Sequence, residues 1–262
     1  MNISITSDPL TARSAPSPAK TVAIVQSCYI PWKGYFDLIG SVDEFVIYDD
    51  MQYTRRDWRN RNLIKTPQGI SWLTVPVKVK GKYLQTIRET EVDGDGWQSD
   101  HWKSVCQNYK RAPYFTQISK ALEPYYLEKK YANLSQLNRD LIELLCRYLG
   151  IETKLKWSWE YEIGEGKTER LVRICEQAGA TRYVSGPAAR DYINSSLFTA
   201  AGIELHYFDY AGYPEYPQLW GEFQNSVSIV DLLFNCGDRA REYMKFPTSR
   251  LDMAQTGGDQ RS

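Results

Sequence analysis

The densest polar stretch of the chain is DDMQYTRRDWRNRNLIKT, residues 49–66. It carries Arg55, Arg56, Arg59, Arg61 and Lys65 beside Tyr53, Trp58, Asn60 and Asn62. Guanidinium groups hold phosphate oxygens two at a time, and an indole alongside can cover a base or sugar face. Such a segment is expected either to build a pocket for a phosphorylated ligand or to form a solvated, salt-bridged loop. Asp49 and Asp50 open it. Either can serve as a general base or hold a ribose or a metal ion, and either can instead pair with the arginines.

Two further stretches favour anions. GEGKTER (164–170) sets Lys167 and Arg170 in the first turn of an expected helix. Backbone amides at a helix start and a nearby lysine attract phosphate, although the spacing is not that of a Walker loop. VSGPAARDY (184–192) places Ser185 and Gly186 at a strand end before a helix, where Ser185 either lends amides to a ligand or caps the helix.

Nucleophiles and bases are few. The five cysteines are Cys28, Cys106, Cys146, Cys175 and Cys236, widely spaced and with no CxxC pair, which excludes a zinc ribbon and a disulfide framework. Cys28 follows a strand and precedes a helix, a setting that can activate a thiol. The other thiols read as core residues, Cys146 beside a leucine stripe. Of the two histidines, His101 in DHW begins a helix and is a candidate general base or a surface or capping residue, and His206 lies inside a strand. No metal site is expected.

The elements that must position these groups follow from periodicity. TVAIVQS (21–27) and EFVIYDD (44–50) read as strands around a helix that starts after Pro31, a βαβ unit whose carboxyl edge carries both SCYIPW and DDMQY. ISWLTVPV (70–77) reads as a third strand. The middle is helical: SDHWKSVCQNYKRA (99–112), then NLSQLNRDLIELLCRYLG (133–150) with leucines at helical spacing and Gly150 as its stop. Alternation then resumes with KLKWSW, a helix at 167–180, RYVSG, a helix at 187–202, IELHYFDY and a closing helix at 228–237. The expected fold is α/β, a Rossmann-like, mostly parallel sheet flanked by helices, in one domain over 21–245 with a helical insert at about 98–150. Residues 1–20 and 246–262 are expected to be disordered tails.

Lysine plus arginine and aspartate plus glutamate both total 32, so overall charge argues against a generic nucleic-acid or membrane-surface binder. No apolar run is long enough to span a bilayer, and the first residues lack a signal-peptide core. The expectation is a cytoplasmic protein. Aromatics make up 13% of residues, compatible with a carbohydrate or nucleotide ligand.

Several of these stretches together are similar to one bacterial family. QSCYIPWKGYFDLI, DDMQYTRRDWRNRNLIKT, WLTVPV, KTERLVRICEQAGATRYVSGPAARDY and SVSIVDLLFNCG resemble, in this order, the WbqC-like family, over about 22–237. The family generally shows proline where this chain has Ser27, and the Cys28 position varies in it. That leaves Gln26, Tyr29, Pro31, Trp32, Gly34, Tyr35 and Phe36 as shared features. Members often lie in gene clusters for O-antigen and other surface polysaccharides. The resemblance therefore implies a transferase that attaches a small acyl or aminoacyl group to the amine of a nucleotide-linked amino sugar. The donor implied is an acyl-CoA, an aminoacyl donor or an ATP-activated acid, and pathway enzymes are implied partners. In that scheme Asp50, or alternatively His101, is the base. Arg56, Arg59, Arg61, Lys65, Lys167 and Arg170 hold diphosphate, Tyr29, Trp32, Tyr35 and Trp58 stack, and Asn60 and Asn62 orient hydroxyls. The alternatives are a non-catalytic nucleotide-sugar-binding or scaffold protein and a Cys28 thiol enzyme. The strand, PWxGY loop and acidic strand end are also reminiscent of HxGH nucleotidylyltransferases and class I synthetases, but neither histidine of that motif is present.

Overall fold

TVAIV is a β-branched, apolar run, and it forms the central strand of the structure, a computed structural model that describes residues 19–246. The strands are β1 (Thr21–Val25), β2 (Glu44–Ile47), β3 (Arg61–Thr66), β4 (Gly69–Thr74), β5 (Lys154–Trp157), β6 (Arg182–Ser185) and β7 (Glu204–Tyr207). The α-helices are α1 (Lys33–Gly40), α2 (Trp97–Tyr109), α3 (Phe115–Leu127), α4 (Leu134–Leu149), α5 (Thr168–Gln177), α6 (Ser195–Ala200) and α7 (Ile229–Cys236). Five strands make one parallel sheet in the order β5-β2-β1-β6-β7, with Ala23 opposite both Phe45 and Val184. The fold is α/β and Rossmann-like, as expected.

Period-two alternation assigns the two faces. Ala23, Phe45 and Ile47 pack into a core shared with α1, α2, α3, α4 and α7, whereas Val22, Ile24 and Val46 pack against α5 and α6. Helices therefore cover both sides, as an all-parallel sheet requires.

Two expectations are corrected. The strand expected at 70–77 is not part of the sheet. It forms an antiparallel hairpin with β3, whose residues the sequence placed in a polar ligand loop; Leu63 pairs with Trp72 and Asn62 with Leu73. The helix expected at 187–202 is broken into a 3-10 turn, Pro187–Asp191, and α6, because Asn194 accepts from the Ser196 amide at 3.2 Å and starts a new helix. Of the segments expected as tails, residues 19, 20 and 246 are described. Lys20 Nζ donates to Glu44 at 3.0 Å and to the Ala178 carbonyl at 2.6 Å, and the Phe246 amide donates to Asp37 at 2.9 Å. The remaining tail residues, 1–18 and 247–262, lie outside the described residues.

The loop between β1 and α1 is held under strain. Ile30, a β-branched residue, has φ +35°, a conformation such side chains avoid. Asn62 on β3 fixes it by donating Nδ2 to the Tyr29 and Ile30 carbonyls at 3.1 and 3.0 Å, and Ser228 Oγ donates to Ile30 at 2.6 Å. At the start of α1 the Trp32 ring folds over Gly34, where an added Cβ would lie 2.5 Å from ring atom Cη2. Asn62→Leu strips two carbonyls of a buried donor and should cost about 3 kcal/mol of stability, read as a lower urea midpoint at unchanged m-value.

Candidate functional site

In the order β5-β2-β1-β6-β7 the chain leaves β1 in one direction and β6 in the other, so the switch point falls between these neighbours. In open parallel sheets a crevice forms there, beyond the carboxyl ends of the strands. A cavity of about 820 Å³ lies at that place. It is lined by Ile24, Val25, Gln26 and Cys28, by Ser185 through Ala189, and by the start of α1, Trp58–Arg59 and the first turn of α5.

The lining is aromatic and cationic. Trp32, Tyr35, Tyr48, Trp58, Tyr183, Tyr192 and Tyr210 supply rings, and Arg59, Lys167 and Arg170 supply the charges. Among the described residues no aspartate, glutamate or histidine lines it. Arg59 is nearly buried; Nη1 donates to the Ser27 carbonyl at 3.1 Å and Nε lies 3.6 Å from Asp57. Arg170 Nε donates to the Gly164 carbonyl at 3.1 Å, which folds the glycine-rich turn onto the helix start. Gly186 has an ordinary φ of −70°, and a Cβ added to it would meet no protein atom within 4 Å. Neither backbone nor packing demands this glycine; its missing side chain leaves the cavity wall open.

The structure brings Gln26, Trp32, Tyr35, Trp58, Arg59, Asn62, Lys167, Arg170, Ser185 and Gly186 to this one cavity. The Tyr35 hydroxyl donates to the Gln26 carbonyl at 3.1 Å. The other sequence candidates are elsewhere. Arg56 is exposed, and its carbonyl accepts from Arg61 at 2.5 Å. Arg61 lies over the Trp72 ring at 3.9 Å. Asn60 donates to the Val75 carbonyl at 2.7 Å. Lys65 is buried and clamps Gln218 and the Glu222 carbonyl at 2.9 and 2.5 Å. These residues serve folding contacts because the hairpin turns them away from the sheet edge.

Both candidate bases are also displaced. Asp50 accepts from Ser158 at 2.5 Å and lies 3.5 Å from Arg88, next to a stacked pair formed by Trp157 and Trp159. Asp49 is fully buried and accepts from the Ser27 amide, Ser27 Oγ and Ser135 Oγ at 2.8, 2.7 and 2.5 Å. Burial pushes its carboxyl above the usual range, and the serine bonds oppose that. His101 is buried with Tyr29. Nε2 faces the Thr74 carbonyl at 3.2 Å, which can only accept, so Nδ1 accepts from the Tyr29 hydroxyl at 2.9 Å and Tyr126 donates to Tyr29 at 2.7 Å. This chain fixes a neutral imidazole, and burial lowers its pKa to about 4. Tyr29 is thereby a core residue, not a stacking one.

Cys28 does reach the cavity, but burial raises its thiol to about 11 and keeps it protonated at neutral pH. Tyr48, Met51, Tyr183, Tyr192 and Tyr210 were missed by sequence reasoning. Tyr48, Tyr183 and Tyr210 lie in or just beyond expected strands, and the strand-end rule that selected Ser185 applies to Tyr48 as well.

Fold and cavity together define an α/β protein with a cationic, aromatic cavity at its switch point. Residues 26–243 match the WbqC-like protein family, and the chain belongs to it. It is 57% identical over 227 residues to the uncharacterized protein Rv1507c of Mycobacterium tuberculosis (strain ATCC 25618 / H37Rv), covering 87% of this chain and 98% of that protein. No solved structure matches.

The imidazole supplies a pH test. His101 binds its proton less readily folded than unfolded, so its contribution to stability is present above the unfolded pKa and is lost as pH falls from about 6.5 toward about 4. Replacing it by leucine removes that dependence. The stability difference between wild type and His101→Leu, measured by urea unfolding, should therefore shrink over this acid range.

Proposed function

We propose that the cavity binds a nucleotide-linked amino sugar and that the protein transfers a small acyl or aminoacyl group to the sugar amine, in surface polysaccharide biosynthesis. The observation that carries this reading is a cavity with aromatic walls and three cations, lined by no carboxylate among the described residues. Arg59, Lys167 and Arg170, with the amides opening α5, hold a diphosphate. The rings cover base and sugar, and about 820 Å³ falls within the range of small-ligand sites.

The reaction needs a neutral amine. Cationic, partly apolar surroundings disfavour a further positive charge, so the bound ammonium gives up its proton to solvent before attack. The amine nitrogen then bonds to the donor carbonyl, Lys167 or Arg170 stabilises the developing oxyanion, and as the bond to the leaving group breaks the nitrogen's remaining surplus proton passes through solvent to the departing group. This route uses neither Asp50 nor His101. The donor is an activated acyl unit of the acyl-CoA, aminoacyl or ATP-activated class. The compartment is the cytoplasm, the architecture a single domain, and pathway enzymes are the partners; no nucleic acid is involved. Among the described residues no helix is long and apolar enough to cross a membrane.

A second reading, a nucleotide-sugar-binding or scaffold protein of the same pathway, is favoured by the placement of Asp50 and His101 outside the cavity. Calorimetric titration with UDP- and dTDP-linked amino sugars tests the site. Arg59→Met and Lys167→Met should each weaken binding about tenfold, equivalent to about 1.4 kcal/mol. Gly186→Val should abolish binding with an unchanged melting temperature, since the added atoms enter open space. Titrations in buffers of different ionisation enthalpy should show net proton release. Mass spectrometry of the sugar after incubation with acyl donors then separates the readings: binding with no acylated product across the panel supports the scaffold and sinks the transferase.

A further inference from the structure

The chain has balanced total charge, but the turn between Lys78 and Leu84 does not. It reads KVKGKYL, and its last two residues, Tyr83 and Leu84, are 75% and 83% exposed, well above the 41% and 42% of Trp58 and Trp72. Single exposed apolar residues are ordinary, whereas an adjacent pair at the edge of a cationic turn marks a contact surface.

The backbone that presents them is pinned. The Lys82 amide closes the turn onto the Val79 carbonyl at 3.2 Å, with Gly81 at φ +74°. Gln52 Nε2 donates to the Tyr83 carbonyl at 2.8 Å, Gln85 Nε2 to the Lys78 carbonyl at 2.9 Å, and Arg55 Nη2 to the Val79 carbonyl at 3.3 Å. Tyr83 and Leu84 thus stand out from a fixed frame, and their ordering is complete before any partner arrives.

Charge decides what that partner is. Lys78 and Lys82 share one carboxylate, Glu91, and Lys80 stands between them at the tip. Arg55 bonds a carbonyl of the turn, and Arg56 follows it in sequence. The turn itself holds no acid. We propose that this turn docks the protein on an anionic membrane surface. Tyr83 and Leu84 enter the boundary between headgroups and acyl chains, and the lysines remain at the level of the lipid phosphates. Docking of this kind needs no spanning helix. It is also independent of the cavity, since none of these residues lines it.

The test is co-sedimentation of the full chain with vesicles of phosphatidylcholine alone, and with roughly one-third phosphatidylglycerol added. The protein should pellet with the anionic vesicles at low salt and much less with neutral ones or at high salt. The double variant Tyr83→Ser, Leu84→Ser and, separately, Lys80→Glu should each reduce partition about tenfold. Melting temperature and sugar-nucleotide binding should stay as in wild type, because these side chains are exposed and outside the cavity. A wild-type chain that stays in the supernatant with anionic vesicles overturns the proposal, and so do variants that pellet as wild type does. An acidic protein docking at this turn would give the first of those results.

Discussion

One buried carboxylate organises this molecule. Asp49 lies just past β2, where its side chain is sealed from water and must be satisfied by the protein alone. It takes its bonds from Ser27, at the end of β1, and Ser135, in the first turn of α4. Ser27 Oγ in turn accepts from Asn138 on α4, whose amide also donates to the Arg59 carbonyl at 2.9 Å. Four segments distant in sequence are thereby fixed at the sheet edge. Since an unpaired buried charge is far more costly than a paired one, the network forms as a unit or not at all. The cavity inherits its geometry from that choice: the residues on either side of the hub, Gln26, Cys28 and Arg59, are the ones that line it.

The family resemblance leads one to expect proline at position 27, and this chain has Ser27 there. A proline offers neither an amide proton nor a hydroxyl, so it could supply neither of the two bonds that Asp49 accepts from Ser27. The departure is therefore absorbed inside the structural network and leaves the cavity lining untouched. The neighbouring Cys28, which does face the cavity, is a protonated thiol in apolar surroundings. A substitution at that position would change the shape of a wall, not the chemistry of a nucleophile.

Much of the fold was legible because local pattern and global position agree. The β-branched runs at 21–25 and 44–47, and the capped, glycine-stopped leucine helix at 134–149, are set by periodicity and end signals that need no tertiary context. The hairpin was not legible, since β3 is rich in polar residues. Asn62 and Lys65 satisfy buried carbonyls there, and such contacts come from segments 30 to 160 residues away. The same limit governs the site. The strand-end rule, the cation-rich stretches and the family resemblance together pointed to ten lining residues of the cavity, but they could not tell an aspartate that faces the cavity from one that faces a serine. Asp49 and Asp50 are adjacent in sequence and both turned out to be held by protein hydroxyls.

This displacement of the acids shapes what the cavity can do. The lining keeps three cations and no carboxylate among the described residues, and with Arg59 held beside Asp57 the charge left facing the cavity comes mainly from Lys167 and Arg170 in partly apolar surroundings. For the ligand proposed above, such surroundings would disfavour a protonated amine and favour a phosphate, so the charges that would select an anionic ligand would also prepare its amine to react. In the proposed transfer the amine's proton goes to solvent and a lysine or arginine of the lining would act by position alone, which is why the placement of Asp50 and His101 outside the cavity leaves acyl transfer chemically coherent.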